Sequence, residues 1–270
     1  HGFKIDKANL RRQLDHTVAF LSRGKENYVA GKGQGGRIDT AGYALWTLQA
    51  GKYKPDDVTV AVVDYMLKTN ADSAHWTHSS NRPPTEASDF TTTYVALRGL
   101  LAFGTADQRT RITQRQNTVV QWLLNTSTSD TEDRVFQLRS LAFAQAETGA
   151  QQTFADALIT AQRPDGGWAQ KDDMMSDAYA TGTVLASLVQ TGHLAPASTV
   201  YQRGLQFLLK SQKADGSWLV VSRSKPFQEY FETGFPHGVN QFVSTSATAW
   251  ATIALIESLA KPARKSSVAK

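Results

Sequence analysis

Cysteine is absent from all 270 residues, which excludes disulfides, thiolate nucleophiles and Cys-ligated zinc. No apolar run approaches the roughly 18 to 20 residues that a membrane-spanning helix needs. Alternation at period two is missing over any useful length, so strands are expected only as short pairs in loops. The excess of basic over acidic residues is small, 29 against 24, a net balance of +5. Basic residues are scattered apart from "RTRITQR" (109–115) and the tail at 261–270. Such clusters read as a solvated helix face and a disordered end, so nucleic acid is not an expected partner. The chain opens on His1 with no signal-peptide pattern, the expectation for a trimmed or extracytoplasmic form. Its 41% hydrophobic and 20% charged residues describe a soluble globular protein long enough to bury a large core.

What the sequence does contain is a repeat. One alanine- and leucine-rich phrase recurs as "GRIDTAGYALWTL" (36–48), "SDFTTTYVALRGL" (88–100), "SDTEDRVFQLRSL" (129–141), "SDAYATGTVLASL" (176–188) and "VSTSATAWATIAL" (243–255). Ser, Thr and Asp ahead of an apolar run are helix N-cap chemistry. Gly51, Gly104, Gly149 and Gly192 follow four of the five, where a left-handed C-cap would place glycine. A second, amphipathic helix then begins each time, with apolar residues at spacings of three and four, as in Leu205, Leu208 and Leu209. Small-residue helices alternating with amphipathic ones predict two concentric layers: an all-α toroid of five to six inner and outer helix pairs. A single domain over 1–260, followed by the basic tail 261–270, is the expected organisation.

Two of the outer helices end alike. "RGLQFLLKSQKADGSW" (203–218) and "DALITAQRPDGGW" (156–168) each run from a glutamine through Asp-Gly to a tryptophan six residues on. Glycine tolerates the positive φ of such a turn, and Trp168 and Trp218 are expected to fold their rings against the joint while Gln162 and Gln212 cap free backbone groups. The phrase resembles the QW motif of squalene-hopene and oxidosqualene cyclases. Arg203, Gly204, Phe207, Gln212, Gly216 and Trp218 match it closely, and Gln162, Gly166 and Trp168 match its second half. The resemblance covers about residues 150–260 and, more weakly, the whole chain. It implies the α/α-barrel of terpene cyclases and prenyltransferases, in which the motif is structural and says nothing of activity.

The resemblance also frames the chemistry. Class II cyclases protonate an alkene or epoxide with an aspartate of a D-x-D-D motif, an acid held neutral by burial above aromatic faces that stabilise a carbocation. The best match here is "MMSDAYATG" (174–182). In one register Asp177 takes the acid's place; in the other Tyr179 does, and the full motif is absent in both. Asp177 is read first as a helix N-cap, with the proton donor as the alternative. These cyclases place the active site between two barrels, and this chain has residues for one. Protein prenyltransferase β subunits, which share the toroid, bind zinc through Asp, Cys and His, and the missing cysteine argues against that activity and against the thioester of complement-type toroids.

Other patterns carry less. "GKGQGG" satisfies G-x-G-x-x-G with Gly31, Gly33 and Gly36, but no strand precedes it and no βαβ unit surrounds it, so a loop is expected. His75 and His78 in "HWTH" have no evident third ligand; neither metal nor cofactor is expected. Two long loops, 75–89 and 222–242, place Trp76, Arg82, Glu86, Arg223, Lys225, Phe227, Tyr230, Phe231, Glu232, Phe235 and His237 ahead of inner helices, at what should be one rim. They either plug the barrel or line a pocket. The functional expectation is a module that binds an apolar or isoprenoid-like small molecule, or other domains of a larger protein, through this rim and an axial pocket. The alternative is an isoprenoid cyclase or transferase using Asp177 as acid, and whether the domain is an enzyme stays open at this level.

Overall fold

The repeated phrase starts a helix because a side chain supplies the acceptor that the first turn lacks. Ser88 accepts from the Thr91 backbone N–H at 3.3 Å, Asp130 from Asp133 at 3.1 Å and Asp177 from Ala180 at 2.9 Å. The Ser-Asp pairs therefore cap in two phases: the serine does so at 88, the aspartate at 130 and 177. In the computed structural model, which describes residues 3–225 and 229–259, the elements in chain order are α1 (Lys7–Arg23), α2 (Lys25–Val29), α3 (Arg37–Ala50), α4 (Asp57–Lys68), α5 (Asp89–Phe103), α6 (Arg109–Asn125), α7 (Thr131–Phe143), α8 (Thr148–Thr160), β1 (Trp168–Ala169), β2 (Ser176–Asp177), α9 (Ala178–Gln190), α10 (Thr199–Ser211) and α11 (Gln241–Glu257). The basic tail 261–270 lies outside the described residues. The fold is all-α, and β1 and β2 form one short antiparallel pair with Trp168 opposite Asp177.

Helices α3, α5, α7, α9 and α11 each pack on the next along the chain. They form an inner arc, and its first and last members meet through the rings of Trp46 and Trp250, 6.3 Å apart. Outside it, α1 lies on α3, α6 on α5 and α7, α8 on α7, and α10 on α9 and α11. Burial follows this layering. Helix α9 is buried without interruption from Ala178 to Leu188, whereas α10 buries only Tyr201, Gly204, Leu205 and Leu208, a single stripe at helical spacing.

Small residues let the inner helices approach. A Cβ at Gly182 would lie 2.7 Å from the Ala251 backbone nitrogen and 2.8 Å from the Trp250 carbonyl carbon, both main-chain atoms of α11. Gly182→Ala should therefore destabilise the fold by about 1 to 3 kcal/mol through overpacking, although helix propensity alone would favour alanine by about 1 kcal/mol; urea unfolding that shows a gain would contradict the contact. The glycines expected to end the inner helices behave differently from that expectation. Only Gly192, with φ of 82°, is left-handed. Gly51 and Gly104 have φ of −78° and −65°, and Gly149 lies inside α8. Lys52 and Gln145 adopt the positive φ instead.

The turns between outer and inner helices share one construction. The Trp168 indole N–H donates to the Leu158 carbonyl at 2.7 Å and its backbone N–H to Thr181 Oγ1 at 3.0 Å. Trp218 repeats this with Leu208 at 2.8 Å and Thr248 at 3.0 Å. Each ring thus satisfies a carbonyl of an outer helix and pins the turn to the next inner helix. Gln162 and Gln212 donate to the carbonyls of Gly166 and Gly216, both at 2.9 Å, and those glycines have φ of 89° and 85°. Trp76 makes the same bonds, to the Met66 carbonyl at 3.0 Å and Thr93 Oγ1 at 3.1 Å. It is a third joint, fully buried, and not a rim residue.

Candidate functional site

The N-terminal ends of the inner helices converge on a cleft of about 860 Å³ lined by Ser79, Ser80, Asn81, Arg82, Pro83, Lys171, Asp173, Met174, Arg223 and Lys225. Three segments distant in sequence supply these residues. Residues 79–83 are held by Asp39 of α3, whose carboxylate accepts from the Ser79 backbone and hydroxyl, both at 3.1 Å. Tyr43 donates to the Thr85 carbonyl at 3.1 Å. The β1–β2 connection, which carries Lys171, is stapled by Arg163 to the carbonyls of Lys171, Asp172 and Met174. Residues 222–225 are tied down by Ser222, which donates from its backbone to Asn240 Oδ1 at 2.9 Å, and by Arg223, whose Nε donates to Gln170 Oε1 at 2.7 Å.

Below this lip lie carboxylates. Asp177 caps α9 and also accepts from Gln170 Nε2 at 2.9 Å, while burial raises its pKa above the usual carboxylate value. Burial likewise raises Asp130, 3.7 Å from an Arg223 amino group. Deepest is Glu132, which accepts from Thr91 Oγ1 at 2.8 Å and the Tyr179 hydroxyl at 2.9 Å. Loss of hydration pushes its pKa up to about 8, against the opposing pull of those two bonds. At neutral pH it is largely a protonated acid.

The axis beneath is occupied by aromatic rings and two guanidinium groups. Arg98 stands over Trp46, Phe143 and Tyr94 at 4.8, 5.1 and 5.8 Å from the ring centroids. Arg139 stands over Trp250, Tyr94 and Trp46 at 5.1, 5.3 and 5.9 Å. Both bond the Tyr94 hydroxyl, at 2.5 and 3.2 Å, and Arg139 also reaches Ser187 Oγ at 3.2 Å and Gln190 Oε1 at 3.1 Å.

Residues 98–270 match the family described as squalene-hopene cyclase C-terminal domain. The chain belongs to that family. It is also 36% identical over 96 residues to lanosterol synthase erg7A of Aspergillus fumigatus, a match that covers 36% of this chain and 12% of that protein. The cyclase-family domain thus corresponds to a small part of that relative's length.

Of the rim residues expected from sequence, the cyclase-family domain gathers Arg82, Arg223 and Lys225 in the cleft and sets Glu86 beside it in an ion pair with Arg82. Tyr230 and Phe231 are exposed, as is Glu232, so these two rings do not fill the barrel. Tyr230 donates to Glu232 at 2.5 Å. His237 bonds Ser217 Oγ at 2.7 Å, at the Trp218 joint, with Phe235 against its ring; Phe227 lies outside the described residues. His75 and His78 both face Asp89, at 3.3 and 2.7 Å, and among the described residues no group of three or more His, Asp or Glu is arranged to hold a metal. No described helix is long and apolar enough to cross a membrane. Sequence reasoning missed Lys171, Asp173 and Glu132.

Proposed function

We propose that this cyclase-family domain is a ligand-binding module that takes its ligand at the basic mouth and does not run a carbocation reaction along its axis. The observation that supports this reading is the pair Arg98 and Arg139. A cyclisation cation needs aromatic faces free of competing charge, and here two guanidinium groups already stand on Trp46, Tyr94, Phe143 and Trp250. Two unit charges about 5 Å apart at an effective dielectric of about 20 repel by roughly 3 kcal/mol. A carbocation placed among these rings would meet that repulsion twice.

Acid-initiated cyclisation of an isoprenoid is the opposing reading, and Glu132 is the group in its favour, a buried acid protonated at neutral pH. Asp177, the acid suggested by motif, is engaged as the α9 cap. Incubation with squalene and oxidosqualene, followed by product analysis, distinguishes the two. No cyclised product is expected from the wild type, and Asp177→Asn should cost only a few tenths of a kcal/mol in stability against about 0.5 to 2 for Asp177→Ala. Product from the wild type that disappears in Asp177→Asn or Glu132→Gln would sink the binding reading.

A further inference from the structure

The loop between α4 and α5 holds a relay that the mouth does not use. Ser73 Oγ lies 3.4 Å from His75 Nδ1, and on the other side of the same ring Nε2 lies 3.3 Å from Asp89 Oδ2. An ionised carboxylate only accepts, so a neutral His75 carries its proton on Nε2 and leaves Nδ1 bare. The serine hydroxyl then donates to a basic nitrogen. This is the polarity by which a Ser, His and Asp set activates a hydroxyl, with the parts of the two ring nitrogens exchanged. The His75 backbone N–H donates to the same Oγ at 3.4 Å, a bond that favours the alkoxide. Catalytic hydrogen bonds of this length tighten when a substrate closes on them.

A serine turn by itself needs only the backbone bond, whereas here three further groups fix the ring and the hydroxyl. Trp122 of α6 stacks on the imidazole, with ring centroids 4.4 Å apart and planes 10° from parallel. Its face also favours the imidazolium that forms when His75 takes up a proton. His78 bonds the other oxygen of Asp89 at 2.7 Å, which holds the carboxylate in place. Arg115 donates to the carbonyls of Ser73 and His75, so the turn is set before a substrate arrives.

Ser73 also lines a cavity of about 440 Å³ between α4 and α6, with Leu67, Ala71, Ala74, Arg111 and Gln114 among its neighbours there. The size suits a small organic ligand. Leu67, Ala71 and Ala74 offer an apolar wall to a short acyl chain, and Arg111 and Gln114 are donors for a developing oxyanion. No residue of this lining belongs to the mouth cleft.

We propose that Ser73 is an acyl-accepting nucleophile, with His75 as its base and Asp89 as the positioning residue, in a hydrolytic site for short-chain carboxylic esters. Ser73 Oγ bonds to the ester carbonyl carbon while its proton passes to His75 Nδ1. His75 gives that proton to the departing alcohol as the ester C–O bond breaks, which leaves an acyl-serine. Water then attacks the acyl carbon with His75 again as base, releasing the carboxylic acid and restoring the hydroxyl. The site stands independently of the ligand-binding reading of the mouth.

The full chain is treated with an alkyl fluorophosphonate, from which an activated serine displaces fluoride, and is assayed with para-nitrophenyl acetate and butyrate. A single label per chain is expected on the peptide carrying Ser73, found by mass spectrometry, and this readout needs no variant to fold. Ser73→Ala should lose the label and return ester turnover to the uncatalysed rate, and His75→Gln should slow both by at least about 100-fold, with each variant still melting cooperatively. Asp89→Asn should lower kcat and leave KM unchanged, a split that a merely structural role would not produce. Ser22→Ala, exposed on α1 and outside the cavity, should match the wild type. A chain that takes no label, a label on any other residue, or turnover that survives Ser73→Ala overturns the proposal.

Discussion

Trp76→Ala should lower the folding stability by about 3 to 5 kcal/mol, the range for deleting a fully buried large aromatic. The ring has no exposed surface, its indole N–H satisfies the Met66 carbonyl, and the Arg115 guanidinium lies 4.1 Å from its centroid. Arg115 in turn donates to the carbonyls of Ala71, Ser73 and His75, which fixes the turn that enters α5. Truncation therefore opens a cavity and also leaves a buried cation without its stacking partner. Urea unfolding measures the loss. A value near that of Trp218→Ala is expected, since the two joints are built alike, and a loss below about 1 kcal/mol would place the ring outside the core.

The second large effect is a pH dependence set by Glu132. Burial pushes its pKa up to about 8, against 4.5 for a solvated glutamate, so the folded state holds a proton that the unfolded state releases. The group imposes no penalty below about pH 4.5; stability then falls as pH rises and reaches its minimum above about pH 8. The whole span is on the order of 5 kcal/mol. Glu132→Gln imitates the protonated acid, with a carbonyl to accept from one hydroxyl and an amide to donate to the other. The variant should match the wild type within about 1 kcal/mol at pH 4.5 to 5 and exceed it in stability at pH 8 to 9. Parallel stability curves for the two proteins across that window would show that Glu132 is ionised in the folded state.

Much of the fold was legible because its signals are local. Caps, the stripe Leu205 and Leu208, and the Asp-Gly turns before Trp168 and Trp218 all act within a few residues of themselves. Trp76 was hidden because its joint keeps the geometry and loses the letters. Asn70 stands where Gln162 and Gln212 stand, Ser73 where Asp165 and Asp215 stand, and Ala74 where the glycines stand; only the spacing to Met66 and the bond to Thr93 identify it. Glu132 could not be read as a buried acid, since Thr91 and Tyr179, which enclose it, lie 41 and 47 residues away in sequence. Lys171 carries no signal of its own in the sequence, since it sits in the short connection between β1 and β2. Arg98 and Arg139 lie on the inner helices α5 and α7, and the rings they stack on come mostly from other helices.

The inner arc is a strip bent round until its ends touch. Each inner helix packs on the one that follows it in the chain, so the structure behaves as a nearly one-dimensional array whose units can form in sequence, each on a neighbour already in place. The touching of Trp46 and Trp250 pairs helices from opposite ends of the chain and carries the largest loop-closure entropy of any inner-layer contact. A contact of such sequence separation is expected to form late in folding. Arg139, which leans on both rings, spans that seam from the middle of the array.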